Sequence, residues 1–142
     1  MNDIKAIYVS INPHATKKIE LGIKNHEFRN YIPKSYFNRM YVYETSPTSE
    51  LKYIIDVDEV IEFPLQVTED GDGNILFNTG NKSKFAYHLK TVYKLDEPIC
   101  LNTLRTKYGF LPPQAFAYDK KYPELSKKLE TTDKRLILKR GI

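Results

Sequence analysis

The chain reads as a mainly β domain of the α+β class, a small mixed β-barrel of five to six strands with two to three short flanking helices. Three observations predict this. Several segments alternate apolar and polar residues with the period of two that a half-buried strand requires. The segments between them that suit helices are short and punctuated by proline or glycine. Aromatic residues reach 13%, with 11 Tyr, 7 Phe and no Trp, a mix that favours strands and a folded core over disorder.

The elements follow in order. Residues 5–11 place Ile7, Val9 and Ile11 on one side and Tyr8 and Ser10 on the other, a first strand. Pro13 suits a first helical turn, Ala15 and Ile19 face inward, and Gly22 fits the left-handed position that closes a helix. Residues 25–30 form a strand with Glu27 and Arg29 on one face and His26 and Phe28 on the other. Tyr31 to Asn38, holding Pro33, crosses irregularly to a strand from Arg39 to Glu44, stopped by Thr45-Ser46-Pro47. Tyr53 to Phe63 makes a longer strand. Asp70-Gly71-Asp72-Gly73-Asn74, followed by Ile75-Leu76-Phe77, predicts a hairpin-like excursion. Residues 84–95 alternate as another strand, Leu101 to Tyr108 reads as a helix ended by Gly109, and Pro112-Pro113 forces an extended connection from which Phe116 and Tyr118 pack back. In the tail, Pro123 marks a helix start with Leu125 and Leu129 four apart, and Leu136-Ile137-Leu138 lies between basic pairs.

With 142 residues the chain fits one domain with a real core. No apolar run approaches the ~20 residues of a membrane span, and the N-terminus lacks a secretory core, so a cytoplasmic protein is expected. Cys100 is the single cysteine, which excludes an internal disulfide and cysteine-based zinc binding; between Ile99 and Leu101 it reads as a buried thiol. Net charge is +4, unevenly spread: residues 1–46 hold seven Lys/Arg against four Asp/Glu, residues 47–119 seven against eleven, and residues 120–142 eight against three. Basic termini round an acidic middle suit a polyanion on one face, or simply lysines solvated on surface helices.

Two runs carry a family resemblance. The first is a strand ending in Ser10-Ile11-Asn12-Pro13, a helix closed by Gly22-Ile23-Lys24, and Glu27-Phe28-Arg29 on the next strand. The second comprises Tyr93 to Ile99, Leu101 to Leu104, and Gly109 to Tyr118 with its Pro112-Pro113-Gln114 core. Together they resemble the ASCH family of PUA-like β-barrels, in its prokaryotic or phage type, over roughly residues 5–118. The resemblance implies an ASCH-like domain over residues 1–120, with residues 121–142 a basic C-terminal extension packed on or following it. It also implies a cleft between barrel and helix, lined by Lys24, Glu27 and Arg29, that binds RNA or a modified nucleotide, with DNA possible. Family members that resemble N4-acetylcytidine-type amidohydrolases use a lysine, a threonine three residues later and a downstream glutamate. Lys24 matches the lysine, but Glu27 stands at the threonine, and Asp58 or Glu59 would have to replace the acid. Other members are proposed ribonucleases, for which His26 is the nearest proton-shuttle candidate; the period of two places it opposite Glu27 and Arg29, which makes it a satisfied or exposed structural histidine instead. If the protein is an enzyme, Lys24 and Glu27 are its catalytic candidates. No cofactor, metal or membrane partner is implied.

From the residues alone, a lysine beside a paired Glu and Arg can clamp a phosphate while the carboxylate accepts from a base or hydroxyl; an ordinary surface pair has the same spacing. Ser10, Asn12, Thr45 and Ser46 sit at two strand ends, where they either bond phosphate or sugar or cap turns and helices. Tyr41, Tyr43, Tyr87 and Tyr93 either form a stacking platform or wall the barrel. Asp70-x-Asp72-x-Asn74 resembles the start of a calcium loop, but Ile75 stands where glycine is needed and Asn81 where the loop needs glutamate.

Overall fold

The computed structural model describes residues 3–141. Seven strands form one curled, mixed sheet, an open small barrel with short helices round it, as the alternating segments predict. The elements are β1 (Ala6–Ile11), α1 (Pro13–Glu20), β2 (His26–Arg29), β3 (Arg39–Glu44), β4 (Glu50–Glu62), α2 (Asn74–Asn78), β5 (Phe85–Cys100), α3 (Leu101–Tyr108), β6 (Ala117–Tyr118), α4 (Pro123–Thr131) and β7 (Lys134–Lys139). The spatial order is β2-β5-β4-β3-β1-β6, with β7 also on β5. β1 runs parallel to β3 and every other pairing is antiparallel.

β4 and β5 are long enough to span the whole sheet, and their pairing shifts register near Leu51, Asp56 and Val57. Such irregularities bend and twist a strand, which lets a sheet built on two long strands curl. Both faces of β1 are buried: Ile7, Val9 and Ile11 enter one core cluster while Ala6 and Tyr8 enter another. Alternation alone leaves Tyr8 on a wettable face; Leu104 of α3, Phe110, Tyr122, and Leu125 and Leu129 of α4 pack over that face and close it.

Three expectations change. Residues 70–77 form no hairpin: Gly73, in the left-handed conformation at φ 82°, leads into α2, and only Phe77 of Ile75-Leu76-Phe77 is buried. Among the described residues no second strand faces this segment, so its one anchoring ring turns a helix inward instead. Cys100 is exposed, not buried. It is the last residue of β5 and the cap of α3, and alternation places Ile99 inward there. The Leu136-Ile137-Leu138 run is part of β7, hydrogen-bonded to β5, which raises the strand number above five to six.

α4 is bound by apolar and polar contacts at once. Leu125 and Leu129 are fully buried with Tyr8, Phe110 and Tyr122. The Tyr8 hydroxyl lies 2.8 Å from Ser126 Oγ, Tyr41 donates to Glu130, and Arg39 joins Asp56 at 2.6 Å and Glu130 at 2.7 Å. Among the described residues no helix is long and apolar enough to cross a membrane. Truncating Leu129 to Ala should cost about 2–5 kcal/mol in urea unfolding, the usual range for a deleted core leucine. A loss near zero would mean that the sheet and its first three helices hold without α4.

Candidate functional site

The cleft lies where β1 ends, α1 begins and β2 runs past them. Ser10, Ile11, Asn12, Ala15, Lys24, Glu27, Phe28, Arg29 and Lys82 line a cavity of about 340 Å³. Local chemistry explains each placement. Asn12 caps α1 by accepting from the Ala15 N–H at 2.8 Å, so its side chain serves the helix at the rim of the cleft. Gly22 adopts φ 80° after α1, and the Lys24 N–H donates to Lys18 O at 3.1 Å, folding the chain back so that β2 starts beside the helix. The Thr16 hydroxyl donates to the buried Glu44 carboxylate at 2.5 Å, fixing α1 against β3.

Lys24, Glu27 and Arg29 come together as the spacing predicts, but as a nearly buried cluster and not a surface pair. Lys24 is 6% exposed and Glu27 7%. Lys24 Nζ stands 3.5 Å from Glu27 Oε1, and Arg29 contacts the other oxygen through Nη2 at 2.7 Å and Nε at 2.9 Å. Arg29 also donates through Nη1 to the Tyr31 hydroxyl at 3.1 Å and through Nη2 to Ser10 O at 3.0 Å. Most of its five donors are thereby committed, and its main effect is to aim Glu27 and tie β2 to β1. Burial pulls the Lys24 pKa below its ordinary value, Glu27 works against that fall, and Lys82 reinforces it.

Ser10 belongs to the site, with its hydroxyl donating to Pro113 O at 2.7 Å. Thr45 does not reach the cleft: its N–H donates to Ile11 O at 3.0 Å and its carbonyl accepts from Thr48 and Ser49 in a turn. Asp58 and Glu59 line a different cavity, with Ile32, Tyr36 and Phe37, so neither is the acid of a Lys24-centred hydrolase site. Of the four tyrosines that could form a stacking platform or wall the barrel, Tyr41, Tyr43 and Tyr87 are at most 4% exposed and wall it, because both faces of the central strands are covered, and Tyr93 is partly buried against the core.

Lys82 is the cleft residue that pattern reading missed. It sits in the loop before β5, where no periodicity signals direction, and it is carried over the cleft by the fold of residues 63–84. Its Nζ lies 5.5 Å from the Phe28 ring, whose centroid Lys24 Nζ approaches at 4.6 Å. Gly73 permits this approach, since a Cβ there would meet Phe28 Cε2 at 2.7 Å.

His26 points away from the cleft and is fully buried. Asn25 donates through Nδ2 to Asp70 O at 2.8 Å, so its Oδ1 is an acceptor and His26 Nδ1, at 2.7 Å, carries the proton. Burial, followed by the nearby His88 and Lys24, pushes the His26 pKa down to about 4. It is a structural imidazole turned from the cleft and not its proton shuttle; its other nitrogen, Nε2, lies 3.5 Å from Glu69 Oε1, and this carboxylate and Asp58 work against the fall. An unfolded histidine takes its proton near pH 6.5 and this one only near 4, so its contribution is complete above ~6.5 and declines as pH falls toward 4. Wild-type protein should therefore lose more unfolding free energy between pH 7 and pH 5 than the His26→Gln variant, measured by urea midpoints; equal losses would refute the neutral assignment.

No protein-family model and no curated protein matches the chain. Solved structures do. A serine-to-alanine variant of the ASCH protein from Zymomonas mobilis superposes with a TM-score of 0.68 at 24% identity, covering 94% of this chain and all of that one. A tyrosine-to-phenylalanine variant of the same protein gives 0.67 at 23% identity over 91% and 99% of the two chains, and ASCH from Zymomonas mobilis itself gives 0.62 at 22% over 92% and 98%. The alignment extends over nearly the full length of both partners. The chain therefore has the fold of the ASCH proteins, the small barrel that its Lys24 and Pro112-Pro113 runs resemble.

Proposed function

We propose that this chain is an ASCH-family module that binds RNA or a nucleotide in the Lys24 cleft. The observation that carries the reading is that three cations, Lys24, Arg29 and Lys82, line a single cavity of about 340 Å³ with one carboxylate, Glu27, which Lys24 and Arg29 both contact. A cavity of this size lies at the lower end of the range for small-ligand sites, about 300–1,000 Å³. Three positive groups against one negative leave an excess that attracts phosphate. Lys82 forms no ion pair among the described residues, so its ammonium is available, and Lys24 is held in reach by Glu27. The carboxylate that neutralises part of the charge is also an acceptor for a base amino group or a ribose hydroxyl. A cytoplasmic setting accords with this reading.

A second reading is hydrolysis of acylated cytidine or of RNA, and one observation favours it: Lys24, with its lowered pKa, lies 3.5 Å from a carboxylate. Such a pair suits proton transfer. The departure at Glu27 and the remote positions of Asp58 and Glu59 weigh against the acetylcytidine chemistry.

The readings separate in one experiment, binding of short single-stranded and duplex RNA and DNA across a salt series with product analysis of the same samples. Lys24→Ala and Lys82→Ala should each weaken binding and flatten its salt dependence, by about 0.7 in the logarithmic slope for each single-strand phosphate that no longer meets a cation. Unchanged affinity in both variants would sink the cleft assignment. Turnover of RNA or acetylcytidine that Glu27→Gln abolishes would replace the binder with the hydrolase.

A further inference from the structure

A chain of aromatic rings leads away from the cleft. It starts at Tyr31, whose hydroxyl accepts from Arg29 and donates to Ala115 O at 2.6 Å. The Tyr31 ring stacks on Phe116, centroids 5.5 Å and planes 24° apart, and Phe116 meets Tyr118 nearly perpendicular at 5.1 Å. The Ser35 N–H donates to the Tyr118 hydroxyl at 3.1 Å, so the crossing before β3 and the segment leading into β6 close on one another. All three rings are only partly buried. The chain of ring contacts ends at Tyr118, which lines a cavity of about 560 Å³, larger than the cleft, together with Tyr36, a ring that is 69% exposed. Lys5 and Lys120 flank that cavity and are exposed. Among the described residues Asp119 is the one acid of its lining, with Oδ2 turned to the Ala6 N–H at 3.5 Å, so the two lysines leave positive charge in excess there, while the other side of Tyr36 borders the cavity of Asp58 and Glu59.

We propose that a single-stranded nucleic acid enters the Lys24 cleft and continues along this ridge to a second subsite, where a base stacks on Tyr36 and phosphates meet Lys5 and Lys120. The proposal rests on the cleft reading and extends it from a nucleotide to a strand. Two features single out an unpaired strand as the occupant. An exposed ring, Tyr36, between the cations Lys5 and Lys120 is the combination that holds an unpaired base and its backbone, and a duplex keeps its base faces inside its own stack. The dimensions agree: Ser10 lines the cleft and Ala6 the far cavity, four residues apart on β1, a rise of about 13 Å. That is about four phosphates at the stacked spacing of ~3.4 Å along one strand.

The test uses fluorescence anisotropy of the full chain with labelled single-stranded oligonucleotides of two and eight residues and with an eight-base-pair duplex. Tyr36→Ala should weaken the octamer roughly tenfold and leave the dinucleotide unchanged. Lys120→Ala should lower the octamer salt slope by about 0.7. Lys24→Ala should weaken both lengths. If Tyr36→Ala and Lys120→Ala leave the octamer untouched while Lys24→Ala weakens it, the ridge is overturned and the cleft stands. If no variant changes either ligand, the cleft reading fails with it. Duplex binding as tight as octamer binding would also overturn the ridge.

Discussion

The pairing of β4 with β5 is the constraint on which the rest of the molecule depends. Each strand is more than twice as long as the typical strand, and they hydrogen-bond from Glu50 and Cys100 at one end to Glu62 and Phe85 at the other. β5 then carries two short strands on its free edge, β2 against residues 85–88 and β7 against residues 91–95. The edge that would otherwise be open is covered in two pieces, one holding the cleft and the other closing the tail onto the sheet. Because β2 is short, its position is set less by its own ladder than by the side chains that join it to β1 and α1.

Those side chains are ionised and nearly buried, which costs desolvation unless each charge is paired. Here they are paired in sequence: Lys24 to Glu27, Glu27 to Arg29, and Arg29 onward to Ser10 O and Tyr31. One arrangement therefore serves two ends. It locks the short strand against β1, and it leaves an ammonium and a carboxylate facing a cavity whose remaining cation, Lys82, is supplied by a distant loop. The same arginine links the cleft to the Tyr31–Phe116 stack, so the wall of the cleft and the aromatic ridge are held by one guanidinium.

Much of the fold was legible because it rests on local rules. The alternation in residues 5–11, 39–44 and 53–63 located strands, Pro13 with Gly22 bracketed α1, and Gly109 at φ 65° ended α3. The errors have particular causes. Alternation marks one face of a strand as inward but cannot say that the other is also covered, so it left Tyr41, Tyr43 and Tyr87 as either a stacking platform or barrel wall, and their burial makes them wall. Composition between Asp70 and Phe77 marked a turn without showing that no partner strand would meet it, and α2 formed round the single anchor Phe77. Ile99 and Leu101 suggested a buried Cys100, whereas the junction of β5 and α3 turns its thiol outward.

In the cleft, local spacing sets the short-range part: Lys24, Glu27 and Arg29 share one strand start, and the period of two forces the carboxylate and guanidinium onto one face. That this face is nearly sealed, that Ser10 joins it while Thr45 does not, and that Lys82 completes it all follow from long-range packing. The physical reason is distance along the chain. A period of two fixes which way neighbouring side chains point, but the meeting of residues 10, 27 and 82 depends on the curl of the β4–β5 pair and on the tight approach of Gly73 to Phe28, which no local pattern encodes.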